Sequence, residues 1–225
     1  MITVHHLNNS RSQRILWLLE ELELPYEITR YQRDPKTMAA PPTLRAIHPL
    51  GKSPVITDDG RVVAETGAII EYVLEKHGAG RLRPERATED ALKFTYWLHY
   101  AEGSLMPLNV MKLVLGSMAR GPMPFFVKPI AKKLVAGVEN AFLLPNARNQ
   151  LAFVEAELQK TPWFAGEAFS AADIQMSFPL EAASARMGLT PASHPATSAW
   201  LERIHARPAY KTALERGGAF KILGG

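Results

Sequence analysis

The run His48-Pro49-Leu50-Gly51-Lys52-Ser53-Pro54-Val55-Ile56, closely followed by Val63-Ala64-Glu65-Thr66-Gly67-Ala68-Ile69, restricts the fold more than any other part of the chain. It sets a proline at the start of a short apolar strand and an acid–hydroxyl step at the start of a helix. Proline has no N–H for a sheet ladder, so it suits the first position of a strand and not its interior. An X–Pro bond in such a turn is a candidate for the cis form. Ser53 would then offer its backbone N–H and C=O to an extended, peptide-like ligand, as an added strand would. Glu65 and Thr66 fall where helix N–H groups lack partners and the dipole is positive, a place that favours a carboxylate. Together the two segments describe a pocket for a small zwitterionic peptide.

The remaining elements follow from periodicity and turn chemistry. Ile2 to His6 reads as a strand, and Asn8-Asn9-Ser10 as a turn with cap-type residues. Arg14 to Leu22 is a helix, apolar on most of its surface and therefore buried, ended by Pro25. Tyr26 to Tyr31 alternates as a strand does, and Pro41 to Ile47 is a short helix with proline in its first turn. Val55-Ile56-Thr57 and Val62-Val63-Ala64 form a hairpin around Asp59-Gly60. Thr66 to His77 is a helix closed by Gly78. The order strand, helix, strand, helix, strand, strand, helix is that of a thioredoxin-like α/β domain, assigned to residues 1–80. The polar, proline-bearing residues 81–87 are the expected linker. Residues 88–225 read as an all-α domain, beginning with two long helices, about Thr88–Ala119 and Phe125–Gln159. Ser170 and Asp173 form a capping box with a structural role, and shorter helices follow near Ser198–Ala206 and Ala209–Arg216.

Composition narrows the function. Cysteine is absent, which removes disulfides, thiolate metal sites and protein-thiol chemistry. His5, His6, His48 and His99 have no ligand partners at metal spacing, so no metal is expected. The net charge of +4 comes from basic and acidic residues scattered along the chain, which suits a solvated surface better than a nucleic-acid footprint. It would still attract a small anionic substrate. No charged-then-apolar leader opens the sequence and no apolar run is long enough to span a bilayer, so a cytoplasmic location without stable membrane insertion is expected.

Gly51-Lys52-Ser53-Pro54, Glu65-Thr66-Gly67-Ala68-Ile69, and Phe164-Ala165-Gly166 through Ser170-Ala171-Ala172-Asp173, in this order and at these separations, resemble the cytosolic glutathione transferases. His48 to Pro54, Ser10-Arg11 and Trp17-Leu18-Leu19-Glu20 look most like a theta-related fungal and bacterial branch. The resemblance implies an enzyme that activates the thiol of glutathione, its co-substrate, without a prosthetic group. The thiolate would join an apolar electrophile or reduce an organic hydroperoxide, in a homodimer. It also implies site roles. Ser53, before a cis Pro54, would pair with the cysteinyl backbone; Glu65 would hold the γ-glutamyl amino group; Thr66 would bind the γ-glutamyl carboxylate; Lys52 would face the glycyl carboxylate.

Ser10 holds the catalytic serine's place after the first strand, with the amide of Asn9 as a rival and Ser12 as a third candidate. A serine before a helix is also an ordinary N-cap. Tyr96, His99 and Tyr100 share a stretch of the first long helix and are candidates for the hydrophobic pocket, or for core and dimer packing. A non-catalytic protein of the same fold, acting through protein contacts, is the alternative. The intact Ser53-Pro54 and Glu65-Thr66 steps speak against it. The apolar segment Leu113–Val135, interrupted by glycines and prolines, is expected to be a mobile wall over the second-substrate pocket.

Overall fold

A computed structural model of the chain describes residues 1–222. The last three residues of the expected 88–225 domain lie outside it. Four strands, β1 (Ile2–Leu7), β2 (Tyr26–Tyr31), β3 (Val55–Asp58) and β4 (Arg61–Ala64), form one sheet in the order β2-β1-β3-β4. β1 and β2 run parallel, β3 is antiparallel to β1, and β4 to β3. A parallel pair needs a crossover; here it is helix α1 (Ser12–Glu21), whose residues Ser12 to Leu19 are all buried. That matches its apolar pattern, although the helix begins two residues before the expected Arg14. Asp59 and Gly60 both take positive φ, as a tight two-residue hairpin turn requires. Helix α2 (Pro42–Ile47) leads into β3, and α3 (Thr66–His77) ends at Gly78. This is the thioredoxin-like arrangement read from the sequence.

Residues 78–88 form no helix or strand. Beyond them stand α4 (Glu89–Tyr100), α5 (Met106–Arg120), α6 (Lys128–Val138), α7 (Leu144–Leu158), α8 (Ala171–Arg186), α9 (Pro195–Ala206) and α10 (Pro208–Gly217). The two long helices expected from periodicity are present, but each is interrupted. A single π-turn, Ala101–Leu105, separates α4 from α5, and another, Glu139–Leu143, separates α6 from α7. Each lies just before a proline, Pro107 or Pro145, near the start of the next helix. Proline removes one i→i−4 hydrogen bond and its ring crowds the carbonyl four residues back. One residue of extra winding opens that turn, and Met106 N–H and Leu144 N–H reach back to Ala101 and Glu139 instead.

The Ser170–Asp173 capping box is present. Asp173 does more than cap: its carboxylate accepts from Ser170 N at 3.0 Å, Phe164 N at 3.0 Å and Trp200 Nε1 at 3.0 Å. It thereby ties the Trp163–Phe169 loop, α8 and α9 together at the centre of the helical domain. No helix among the described residues is long and apolar enough to cross a membrane.

Candidate active site

The Ser53–Pro54 bond is cis, and Ser53 stands just outside β3. Around it lies a cavity of about 270 Å³ whose walls include Lys52, Ser53, Glu65, Thr66, Arg11 and Glu102. All four expected peptide-binding residues therefore face one space. Glu65 occupies the N-cap of α3 with φ 71° and ψ 128°, and its side chain makes no capping bond. A non-glycine residue held there costs about 1–3 kcal/mol, and such strain collects at ligand sites. Thr66 opens the helix, buried, with its backbone at the positive end of the dipole.

Beneath Thr66 lies a charged support that sequence reading missed. Arg14, fully buried on α1, donates to Thr66 Oγ1 at 3.3 Å, to Glu102 Oε1 at 2.5 Å and to the carbonyl of Gln175 at 2.5 Å. Arg11 also donates to Glu102, at 3.1 Å. The Gln175 carbonyl is available because Pro179, inside α8, has no N–H to occupy it. Burial opposes ionisation of Glu102, but the two arginines overcome it and hold its carboxyl below the usual range. Glu102 sits in the first π-turn, so the irregular winding carries the acid that clamps α1 to the helical domain. The signal that was present is Pro179 together with a charged residue in an otherwise apolar helix.

Ser10 is buried at the mouth of α1 within a chain of hydroxyls. Its Oγ lies 2.8 Å from Ser12 Oγ and 3.2 Å from Ser53 Oγ, and accepts from Ser12 N at 3.2 Å. Ser53 donates to the His5 carbonyl at 3.3 Å. Ser12 Oγ lies 2.9 Å from His6 Nδ1, and the same imidazole meets the Gly217 backbone. Burial above all, together with Arg30, lowers the His6 pKa to about 4, so the ring is neutral near pH 7. Ser10 donates to Ser53 Oγ and Ser53 in turn to the His5 carbonyl, so the chain of hydroxyls ends on β1. Asn9, with φ 51°, spends its side-chain oxygen on Lys221 N at 2.8 Å.

Residues 10–76 match the family model of the glutathione S-transferase N-terminal domain, and residues 123–208 that of the C-terminal domain. Glutathione S-transferase 3 of Schizosaccharomyces pombe is 38% identical, over 96% of this chain and 88% of its own length. The chain belongs to the glutathione S-transferase family. Glutathione S-transferase 1 of Saccharomyces cerevisiae is similar at 36% identity, over 97% and 96% of the two chains. A crystal structure of a glutathione S-transferase from Actinobacillus pleuropneumoniae superposes with a TM-score of 0.80, at 32% identity over 98% of this chain and 94% of that one.

In this transferase fold the space next to Ser10 is built mostly by residues the sequence did not single out. A cavity of about 120 Å³ brings Arg11, Arg33 and Arg186 together with Ser10 and Phe178. Burial and the nearby Arg11 charge both lower the Arg33 and Arg186 pKa values, which marks the three guanidinium groups as close neighbours. An apolar groove of about 500 Å³ continues along α5, past Met106, Val110, Met111, Val114 and Leu115. Tyr96 and Tyr100, expected in that pocket, stand elsewhere. Their rings stack on each other at 5.6 Å and pack against Phe153 of α7, and the Tyr100 hydroxyl bonds the Gln150 carbonyl. His99 lines a separate cavity with Glu65, Thr66 and Gln175. Of the expected wall Leu113–Val135, the half on α5 borders the groove through Val114 and Leu115, and Leu113 lines the small cavity beside Ser10.

Proposed function

We propose that the chain binds glutathione in the Lys52–Ser53–Glu65–Thr66 cavity and that the Ser10 hydroxyl donates to its sulfur, holding it as a thiolate. The observation that carries this reading is the place of Ser10: its buried hydroxyl at the mouth of α1 donates to Ser53 Oγ beside the cis bond and borders the cavity that holds Arg11, Arg33 and Arg186. A free thiol of pKa near 8.5 is only a few per cent ionised at pH 7. A hydrogen bond to the charged form contributes about 1.5–3 kcal/mol, or about one to two pKa units. The N-terminus of α1 and the arginines beside Ser10 add to it.

The thiolate then attacks an electrophilic carbon of an apolar substrate in the α5 groove. The new C–S bond forms as the leaving group departs with its electron pair, or as an activated double bond takes that pair and then a proton from water. With an organic hydroperoxide, the same thiolate attacks the distal oxygen and the O–O bond breaks, giving the alcohol. A second glutathione then converts the resulting sulfenic acid to the disulfide and water. The active unit on this reading is a homodimer, supported by the exposed apolar side chains Leu92, Tyr96 and Phe153 on α4 and α7. Against a purely interacting protein stands a cavity in which a strained Glu65 and a helix N-terminus converge. Retention on immobilised glutathione with elution by free glutathione separates the two; a protein that passes through unretained favours the interacting one.

Thr66→Ala removes the hydroxyl assigned to the γ-glutamyl carboxylate. Glutathione affinity should fall by about 1–3 kcal/mol, the cost of a hydrogen bond to a charged group. Titration calorimetry reads this directly, and an unchanged dissociation constant would remove Thr66 from the site.

A further inference from the structure

We infer that the α5–α6 hairpin is a docking surface for an anionic lipid membrane. Residues 103–138 contain no acidic side chain. They carry five of the chain's 26 basic residues, Lys112, Arg120, Lys128, Lys132 and Lys133, and none of its 22 acidic ones, so the rest of the chain has 21 bases against 22 acids. The whole net positive charge of the protein therefore resides on this hairpin. Lys112 is neutralised by Glu139 at 2.9 Å, whereas among the described residues no acid pairs with Arg120, Lys128, Lys132 or Lys133.

The same hairpin exposes an unusual amount of apolar surface. At its tip Phe125 is 84% and Phe126 64% exposed, and the two rings meet edge to face at 5.6 Å. On α6, Ile130 is 60% and Leu134 68% exposed, and only Val135 is fully buried. Ile130 and Leu134, four apart, form one stripe that Lys133 borders, with Lys128 and Lys132 farther round the helix. Apolar residues with aromatic tips and flanking lysines that can extend to headgroups are what an interfacial helix requires. At 11 residues, α6 is far too short to span a bilayer, so it would lie in the interface.

The charge selects this occupant over a second copy. Two-fold pairing would press identical cationic surfaces together, with no acid in the segment to offset the repulsion. A fluid anionic surface meets both features at once, and a projecting pair of phenylalanines needs no complementary protein pocket there. The inference does not depend on glutathione chemistry. It does set the apolar groove, lined by Val110 and Val114 of α5, beside the docking surface.

The test is co-sedimentation of the full chain with phosphatidylcholine vesicles and with vesicles containing about 30% phosphatidylserine, at low and raised salt. Binding is expected only to the anionic vesicles and should weaken with salt. A lysine near such a surface contributes roughly fivefold to binding, so K128E/K132E/K133E should weaken it about a hundredfold or more. F125S/F126S should weaken it at every salt concentration. Both variants should keep turnover with a water-soluble electrophile, which confirms that they fold. Equal binding to both vesicle types, no binding to either, or unchanged binding in both variants would overturn the inference. So would light scattering in which the charge-reversed variant changes its oligomeric state, because the face would then belong to a second copy.

Discussion

Asp173→Ala is expected to destabilise the protein by about 4 kcal/mol, the largest loss from any single substitution considered. The carboxylate accepts from the backbones of Phe164 and Ser170, from the Ser170 hydroxyl and from the Trp200 indole, all of them buried. Each buried donor left without a partner costs about 1–3 kcal/mol, and the lost cap adds to this. Burial also pushes the Asp173 carboxyl up to about 6, in spite of these four donors. A carboxyl whose folded pKa exceeds its unfolded value binds more protons when folded. Stability from this group is therefore fully present below about pH 4 and declines as pH rises towards 6. Asp173→Asn should remove that decline while keeping one acceptor. Urea unfolding at pH 4.5 and 7 measures both effects; an alanine variant within 1 kcal/mol of the wild type would refute the assignment.

Arg14→Leu should cost about 3 kcal/mol and also weaken glutathione binding. The substitution preserves apolar packing on α1 but leaves the Gln175 carbonyl without its donor and Glu102 with Arg11 alone. Breaking a buried pair by removing one partner costs about 3–5 kcal/mol. The lower end applies because Glu102 is about one-third exposed, at 34%, and keeps a second arginine. Thr66 Oγ1 also loses the donor that fixes its orientation. Denaturant midpoints and calorimetric glutathione titration should both shift. A shift in stability alone would make Arg14 a scaffold residue with no bearing on the ligand.

What was legible in the sequence was local chemistry. The Asp59-Gly60 turn, the proline opening β3, the Gly78 stop and the Ser170–Asp173 box each act over a few residues, and each appears as read. What was not legible depends on elements distant in sequence. Nothing local marks Arg11, Arg14 and Glu102 as partners until α1, α8 and the π-turn meet. The misplaced aromatic pair has a geometric origin. A π-turn adds one residue of winding and rotates the following helix by about 100° relative to a regular one. On a regular helix Val110 and Val114 would share the face of Tyr96 and Tyr100; the extra residue in Ala101–Leu105 turns these groove-lining side chains away from the tyrosines. Pro107 was the warning, and periodicity alone passes over it.

The central claim is that Ser10 holds glutathione as its thiolate, and the absorbance of bound glutathione thiolate against pH tests it most directly. In the wild-type protein the bound thiol should titrate at least one unit below its free value near 8.5. In Ser10→Ala the midpoint should return upward by about one to two units, with turnover at neutral pH reduced about ten- to a hundredfold and glutathione affinity nearly unchanged. Superimposable titration curves for the two proteins would contradict the account and transfer the role to the Asn9 amide.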